Sequence, residues 1–162
     1  MAEGIVAVDD PRAPDVSRLL QRHLAFAASH SPPEDVHALG VDGLLDPSVT
    51  FFSYRVAGQL LGVGALKEID LTHGELKSMH TAQEARQRGV GWSLVQHLLG
   101  VAGHRGYVRV SLETGSMDAF QPARALYAKA GFAPCEPFGE YFPSRNSTFM
   151  TLLLGETRLA AG

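Results

Sequence analysis

Between Leu76 and Trp92 the chain carries the residue types of an anion site: Arg86 and Arg88 in a short turn, glycine at 89 and 91, and an apolar run that starts at Val90. Val90, Leu94, Val95, Leu98, Leu99 and Ala102 recur at the helical period, so their spacing predicts a helix over 90–102, which Gly103 and Gly106 end. The first N–H groups of such a helix have no intrahelical acceptor, and its dipole leaves about half a positive charge there. Phosphate or pyrophosphate binds at such an end. Glycine removes the Cβ atoms that would keep a ligand from the backbone, and arginine adds charge-assisted hydrogen bonds. The same residues also suit a plain strand-to-helix turn with solvated arginines. Two familiar phosphate loops fit poorly, since the dinucleotide fingerprint needs glycine where Leu94 stands and the triphosphate loop needs a Gly-Lys-Ser/Thr that is absent.

The elements around this loop read in order. Ile5 to Val8 is a short strand, and Asp10-Pro11 suits a helix start, with Val16, Leu19, Leu20, His23, Leu24 and Ala27 on one face as far as about Ser29. Pro32 and Pro33 break it, and 36–45 reads as a second, weaker helix. Thr50 to Val56 and Gln59 to Ile69 form strands joined by a tight turn at Ala57-Gly58, and Glu75 to Thr81 is the strand that enters the loop. Helix 90–102 and strand 107–114 complete a crossover unit, and Pro122 places the next helix over about 119–130, capped by Gly131. Segments 133–137 and 147–154 form a final strand pair around the loop 138–146, and 155–162 is expected to fray.

One domain accounts for all 162 residues. Hydrophobic content of 45% without any run of the roughly 20 apolar residues a span needs predicts a soluble protein with no membrane partner. The amino terminus lacks a basic start and apolar stretch, so a cytoplasmic location is expected. A net charge of −3, with no block of like charges, weighs against a nucleic-acid partner. Cys135 is the single cysteine, which excludes an internal disulfide. The seven histidines (His23, His30, His37, His73, His80, His97, His104) show no metal-ligand spacing, so no metal is expected.

The loop resembles that of the GCN5-related N-acetyltransferases, which bind acetyl-coenzyme A with Arg or Gln, two residues of any type, Gly, one of any type, then Gly or Ala. Arg86-Gln87-Arg88-Gly89-Val90-Gly91 matches. One strand later, Ala123 to Phe132 (A-R-A-L-Y-A-K-A-G-F) resembles the second signature of that family. The resemblance implies a single α/β domain: a mixed, mostly antiparallel sheet of about seven strands, four flanking helices, and a central strand pair that splays to admit the coenzyme. It also implies acetyl-coenzyme A as co-substrate, held by main-chain groups at Met79, His80 and Thr81, by Arg86 to Trp92, and by Arg124 and Tyr127. Where many members carry a coenzyme-binding Asn, this chain has Phe120.

Acetyl transfer from a thioester to an amine needs a neutral amine, a donor for the developing oxyanion and a proton for the thiolate. Tyr127 is the acid the resemblance implies. For the base, Glu113 and Glu68 come first, as carboxylates near strand ends, with Glu75 and His80 behind them. The acceptor wall is expected at the junction of the first two helices, with His30, Ser31, Glu34 and His37, together with Lys77 and Tyr141. The expected reaction is direct acetylation of a primary amine on a small molecule or amino acid. Two alternatives stay open: a non-catalytic coenzyme A-binding module, and a protein N-terminal or lysine acetyltransferase. Dimers are frequent among members of the family.

Overall fold

The computed structural model describes residues 3–155; the expected fraying of 156–162 lies outside them. The strands are β1 (Gly4–Val8), β2 (Val49–Val56), β3 (Gln59–Asp70), β4 (His73–Thr81), β5 (Arg109–Gly115), β6 (Ala133–Pro134) and β7 (Ser147–Leu153). They form one sheet in the order β1-β2-β3-β4-β5-β7-β6, in which only β4 and β5 run parallel. The helices are α1 (Pro14–His30), α2 (Val41–Leu44), α3 (Val90–His104) and α4 (Gln121–Ala130). No helix among the described residues is long and apolar enough to cross a membrane.

Helix α3 organises the core because its apolar stripe serves both halves of the sheet. Val90 and Leu94 pack with Leu19 and Leu20 of α1 and with Leu61, Val63 and Ala65 of β3. Val95, Leu98, Leu99 and Ala102 pack with Leu76, Val110, Leu112 and Tyr127. Leu94, Val95, Leu98 and Leu99 are fully buried, each contributing about 1.5–3 kcal/mol of apolar transfer. The helix therefore sits at a fixed depth over the centre of the sheet, and its amino terminus opens beside the end of β4.

Two sequence expectations change at helix ends. Helix α1 starts at Pro14, not at Asp10: the Asp10 carbonyl accepts from Ala13 N (3.1 Å), and its carboxylate accepts from Arg12 N (2.8 Å), which makes 10–13 a turn. The stretch expected as helix 36–45 shrinks to the four residues of α2: a separate 3-10 turn at Pro33–Asp35 precedes it, residues 36–40 are irregular, and glycines at 40 and 43 weaken the helix. The Ala57-Gly58 hairpin forms as expected, with φ of 49° and 83°, the left-handed pair that a two-residue turn requires.

The centre of the sheet is irregular in two places. Pairing of β4 with β5 runs from His73 opposite Arg109 to Leu76 opposite Leu112 and stops there, so the strands part from Lys77 and Glu113 onward. On the other side of β4, Val63 lies opposite His80 and Ala65 opposite Lys77, so Gly64 alone faces Ser78 and Met79. This is a β-bulge, and Ser78 carries its positive φ of 55°. Glycine at 64 makes room for it, since a Cβ there would lie 2.5 Å from Met79 Sδ.

Candidate functional site

The parted ends of β4 and β5 open a cavity of about 740 Å³, bounded by α1, the Pro33–Asp35 turn, the bulge, the first turn of α3, the end of β5, α4 and Tyr141. At its α3 end, Gly89 is the residue before the helix and takes φ 82°, a left-handed conformation in which a side chain is strained. No side chain caps α3, so its first N–H groups stay available. Gln87 is also left-handed (φ 63°). Thr81, Arg86, Gln87, Gly89, Val90, Gly91 and Trp92 line this end, joined by Lys129, whose Nζ sits 4.7 Å over the Trp92 ring. Free amides, a missing Cβ and an arginine are what a pyrophosphate needs, so these residues fit coenzyme A.

Arg88 is exposed and does not line the cavity. Arg124 turns elsewhere: its Nη1 donates to the carbonyls of Gly115 (2.7 Å) and Met117 (3.0 Å), which fastens the turn between β5 and α4. Phe120 does line the cavity, packed edge-on to Phe26 (5.3 Å) and against Gly115, where a Cβ would meet its ring at 2.3 Å.

At the opposite end, burial decides the chemistry. Glu75 is 4% exposed and accepts from Tyr141 OH (2.5 Å) and Lys77 Nζ (3.3 Å), while Lys77 also donates to Tyr141 OH (2.8 Å). His37 meets Tyr141 edge-on at 5.0 Å. Register explains the grouping: Glu75 lies opposite Ser111, so Glu75 and Lys77 of β4 share a face with Ser111 and Glu113 of β5. Burial pushes the Glu113 carboxyl up from 4.5 to about 7, with Ser147 and then Lys77 opposing the rise and Glu75 and Asp35 adding to it. Tyr127 is 6% exposed; burial holds its phenol well above the ordinary tyrosine range, and the Glu113 charge raises it further. Its hydroxyl has no hydrogen-bond partner among the described residues.

His23 of α1 and His80 of β4 meet Nδ1 to Nδ1 at 3.2 Å, so one ring donates to the other. Burial lowers His23 to about 4, and lowers His80 to about 3 with help from His23, Arg86 and Arg22. Both are neutral near pH 7 and too weakly basic to rival Glu113 as a proton acceptor.

The remaining expected residues divide. Met79, Ser31, His37, Lys77 and Tyr141 line the cavity. His30 is exposed and does not line the cavity, its ring tilted against Phe26 (4.6 Å), and Glu34 is exposed outside it, while its neighbour Asp35 faces in. Glu68 is also outside. It is exposed, accepts from Tyr107 OH (2.7 Å) and lies opposite Gly74, six residues or about 20 Å of strand from the His80 end of β4. Asp35, Ser78, His23 and Phe26 were not among the site residues expected from sequence. Asp35 and Glu34 look alike in a loop, and only the Pro33–Asp35 turn tells them apart.

The chain matches the profile of the Acetyltransferase (GNAT) family over residues 14–132. It is 47% identical over 146 residues to an N-acetyltransferase of Bacillus subtilis (strain 168), YsnE, described as uncharacterized, covering 90% of this chain and 97% of that one. It is 32% identical over 152 residues to an IAA acetyltransferase of Azospirillum brasilense, covering 93% and 97%. Its fold superposes with a TM-score of 0.69, at 18% identity, on a GNAT family acetyltransferase from Elizabethkingia anophelis with acetyl-CoA bound, covering 93% of this chain and 98% of the other. The chain belongs to the GNAT acetyltransferase family and is an acetyl-CoA-dependent acyltransferase.

Proposed function

We propose that this chain acetylates a primary amine of a small molecule by direct attack, with Glu113 as base and Tyr127 as acid. The observation that carries the reading is that both groups reach one cavity at the place where β4 and β5 part. When bound, acetyl-CoA supplies the activated acyl group; the amides of the first turn of α3 and Arg86 hold its phosphates.

Glu113 takes a proton from the entering ammonium, so that the nitrogen attacks as a neutral amine. The bulge at Ser78 and Met79 frees main-chain groups from the ladder, and these would supply hydrogen bonds to the acyl oxygen. Tyr127 gives its proton to the leaving sulfur as the C–S bond breaks. Protonation of Glu113 removes the negative charge that raises Tyr127, so the base's action makes the acid stronger. Of the three ammonium protons, one stays on the amide nitrogen, one restores the Tyr127 phenol and one leaves through Glu113 to solvent.

Attack is direct because no thiol stands in the cavity: Cys135 lies outside it, and burial raises that thiol above its ordinary range. A small acceptor fits better than a protein one. The loop 138–146 is tied over the site by Tyr141 on Glu75 and Lys77 and by Ser144 and Asn146 on Asp35 (3.0 and 3.1 Å). The test is calorimetric titration with acetyl-CoA, with and without Arg86→Ala and Gly89→Ala, followed by an amine screen for thiol release. Micromolar binding that the double variant loses, with turnover on small amines, is the expected outcome. Absence of binding to the intact chain overturns the reading, and acetylated protein without any acetylated small amine reverses the acceptor class.

A further inference from the structure

We infer that the acceptor is a dication, a small amine with a second cationic centre and no carboxylate, whose reacting nitrogen meets Glu113 while Asp35 holds its distal cation. This rests on the acetyltransferase reading above.

Charge around the cavity is segregated. The cations Arg86 and Lys129 line the α3 and α4 end, where a phosphate-bearing donor is accommodated. The acceptor end carries Asp35, Glu75 and Glu113 against Lys77 alone, three acids to one base. Lys77 looks like a carboxylate anchor by residue type, but its charge is already answered. It is 9% exposed, salt-bridged to Glu75 at 3.3 Å and hydrogen-bonded to Tyr141. A carboxylate brought to Lys77 would lie against Glu75 and face Glu113 and Asp35 as well, and like charges brought together in a buried site repel strongly. With the Lys77–Glu75 pair self-neutralised, Glu113 and Asp35 are the acids left to answer.

Their positions suit the two ends of one ligand. Glu113 follows the last β4–β5 pair, where transfer occurs, whereas Asp35 lies on the turn after α1 at the outer wall. Ser144 and Asn146 both donate to Asp35 Oδ2, and no protein group donates to Oδ1 among the described residues. A second observation points to a polar ligand: Ser78, 7% exposed and lining the same cavity, has a buried hydroxyl with no protein partner. That hydroxyl can accept from an ammonium group. A sheet position this well buried ordinarily satisfies such an oxygen within the protein.

The experiment compares α,ω-diamines with n-alkylamines of equal length and with amino acids, as acceptors in the thiol-release assay and as ligands of the coenzyme A complex by calorimetry. The same acceptors are then run on Asp35→Asn and on Ser144→Ala/Asn146→Ala. Expected is a diamine preference of at least about 10-fold in kcat/KM over the matched monoamine, with amino acids poorest. Asp35→Asn abolishes the preference, raising KM for the diamine about 10-fold more than KM for the monoamine; the loop double variant, which keeps the Asp35 charge, retains the preference. Equal use of diamine and monoamine, better use of amino acids, or a loop variant that loses the preference as Asp35→Asn does would overturn the inference. Acetyl-CoA binding without binding or turnover of any diamine overturns it too, whereas failure to bind acetyl-CoA sinks the underlying acetyltransferase reading.

Discussion

Replacing Glu113 with Gln separates the catalytic and structural consequences of one buried carboxyl. Its folded-state value of about 7 lies above the ordinary 4.5, so the folded protein holds a proton that the unfolded chain has released. The stability associated with that proton is fully present below pH 4.5 and is lost as pH rises through 7. At about 1.4 kcal/mol per pH unit the whole span is worth about 3 kcal/mol. Glutamine is isosteric and never ionises, so Glu113→Gln has wild-type stability at pH 4 and gains up to about 3 kcal/mol at pH 8. Activity moves the other way. With the carboxylate as the proposed base, wild-type kcat/KM climbs with pH and levels off above about 7, and the variant loses about 100-fold or more in kcat along with that inflection. Urea unfolding at pH 4, 6 and 8 and a pH profile of thiol release on the same preparations read both effects. A variant destabilised at pH 8, or one that keeps the inflection near 7, refutes the reasoning.

Further expectations concern single side chains. Tyr127→Phe removes a hydroxyl that makes no protein hydrogen bond, so its thermal midpoint stays within about 2 °C of wild type while kcat falls about 100-fold, read by a melt beside steady-state assays. Gly89→Ala meets no atom within 4 Å but must hold φ 82° with a Cβ, so it costs about 1 kcal/mol and weakens acetyl-CoA about 10-fold by calorimetry. Tyr141→Phe deprives both Glu75 and Lys77 of a partner at once, lowering stability by about 1–3 kcal/mol and raising the acceptor KM without changing acetyl-CoA affinity. Gly115→Ala drives a Cβ into the Phe120 ring; the ring is displaced into the cavity, and acceptor KM rises while the donor KM holds.

Local chemistry made most of the fold legible in the sequence. The stripe Val90, Leu94, Val95, Leu98 and Leu99 gave α3, the glycines around it gave the anion loop, and Ala57-Gly58 gave the hairpin, because each rests on neighbours a few residues apart. Pro122 and Gly131 bracket the helix that carries Tyr127, and Glu113 lies near the end of a run that reads as a strand. The register between separate elements was not legible. Glu68 and Glu75 are both strand carboxylates, yet strand pairing puts one beside Tyr107 and the other under Tyr141. The same holds for Glu34 against Asp35 and for the contact between His23 and His80, which are 57 residues apart. Arg124 falls inside the second signature at a position the pattern leaves open, and the carbonyls that hold it belong to a turn whose path the sequence does not specify.

The proposed roles of Glu113 and Tyr127 depend on how the middle of the sheet fails to be regular. In an unbroken sheet, side chains of adjacent strands on opposite faces cannot share a cavity. Leu112 belongs to the α3 face with Tyr127, so Glu113, one residue on, points to the face of Tyr141. Were β4 and β5 paired past Leu76, a continuous ladder would stand between the carboxyl and the phenol. The bulge at Ser78 adds a residue to β4 where it leaves β5, and the extra length bends the strand away. One irregularity therefore does three things: it opens the gap through which the two faces communicate, frees main-chain groups beside that gap, and leaves the first turn of α3 facing it. Gly64 faces that bulge, and a Cβ there would meet Met79 Sδ at 2.5 Å. Gly64→Ala, a substitution in β3 that touches neither Glu113 nor Tyr127, displaces the Met79 side chain at the cavity wall and costs about 1–3 kcal/mol of stability. Loss of kcat with an intact pH inflection is the signature of that geometry. A fully active Gly64→Ala protein would show that packing at the bulge is incidental to catalysis.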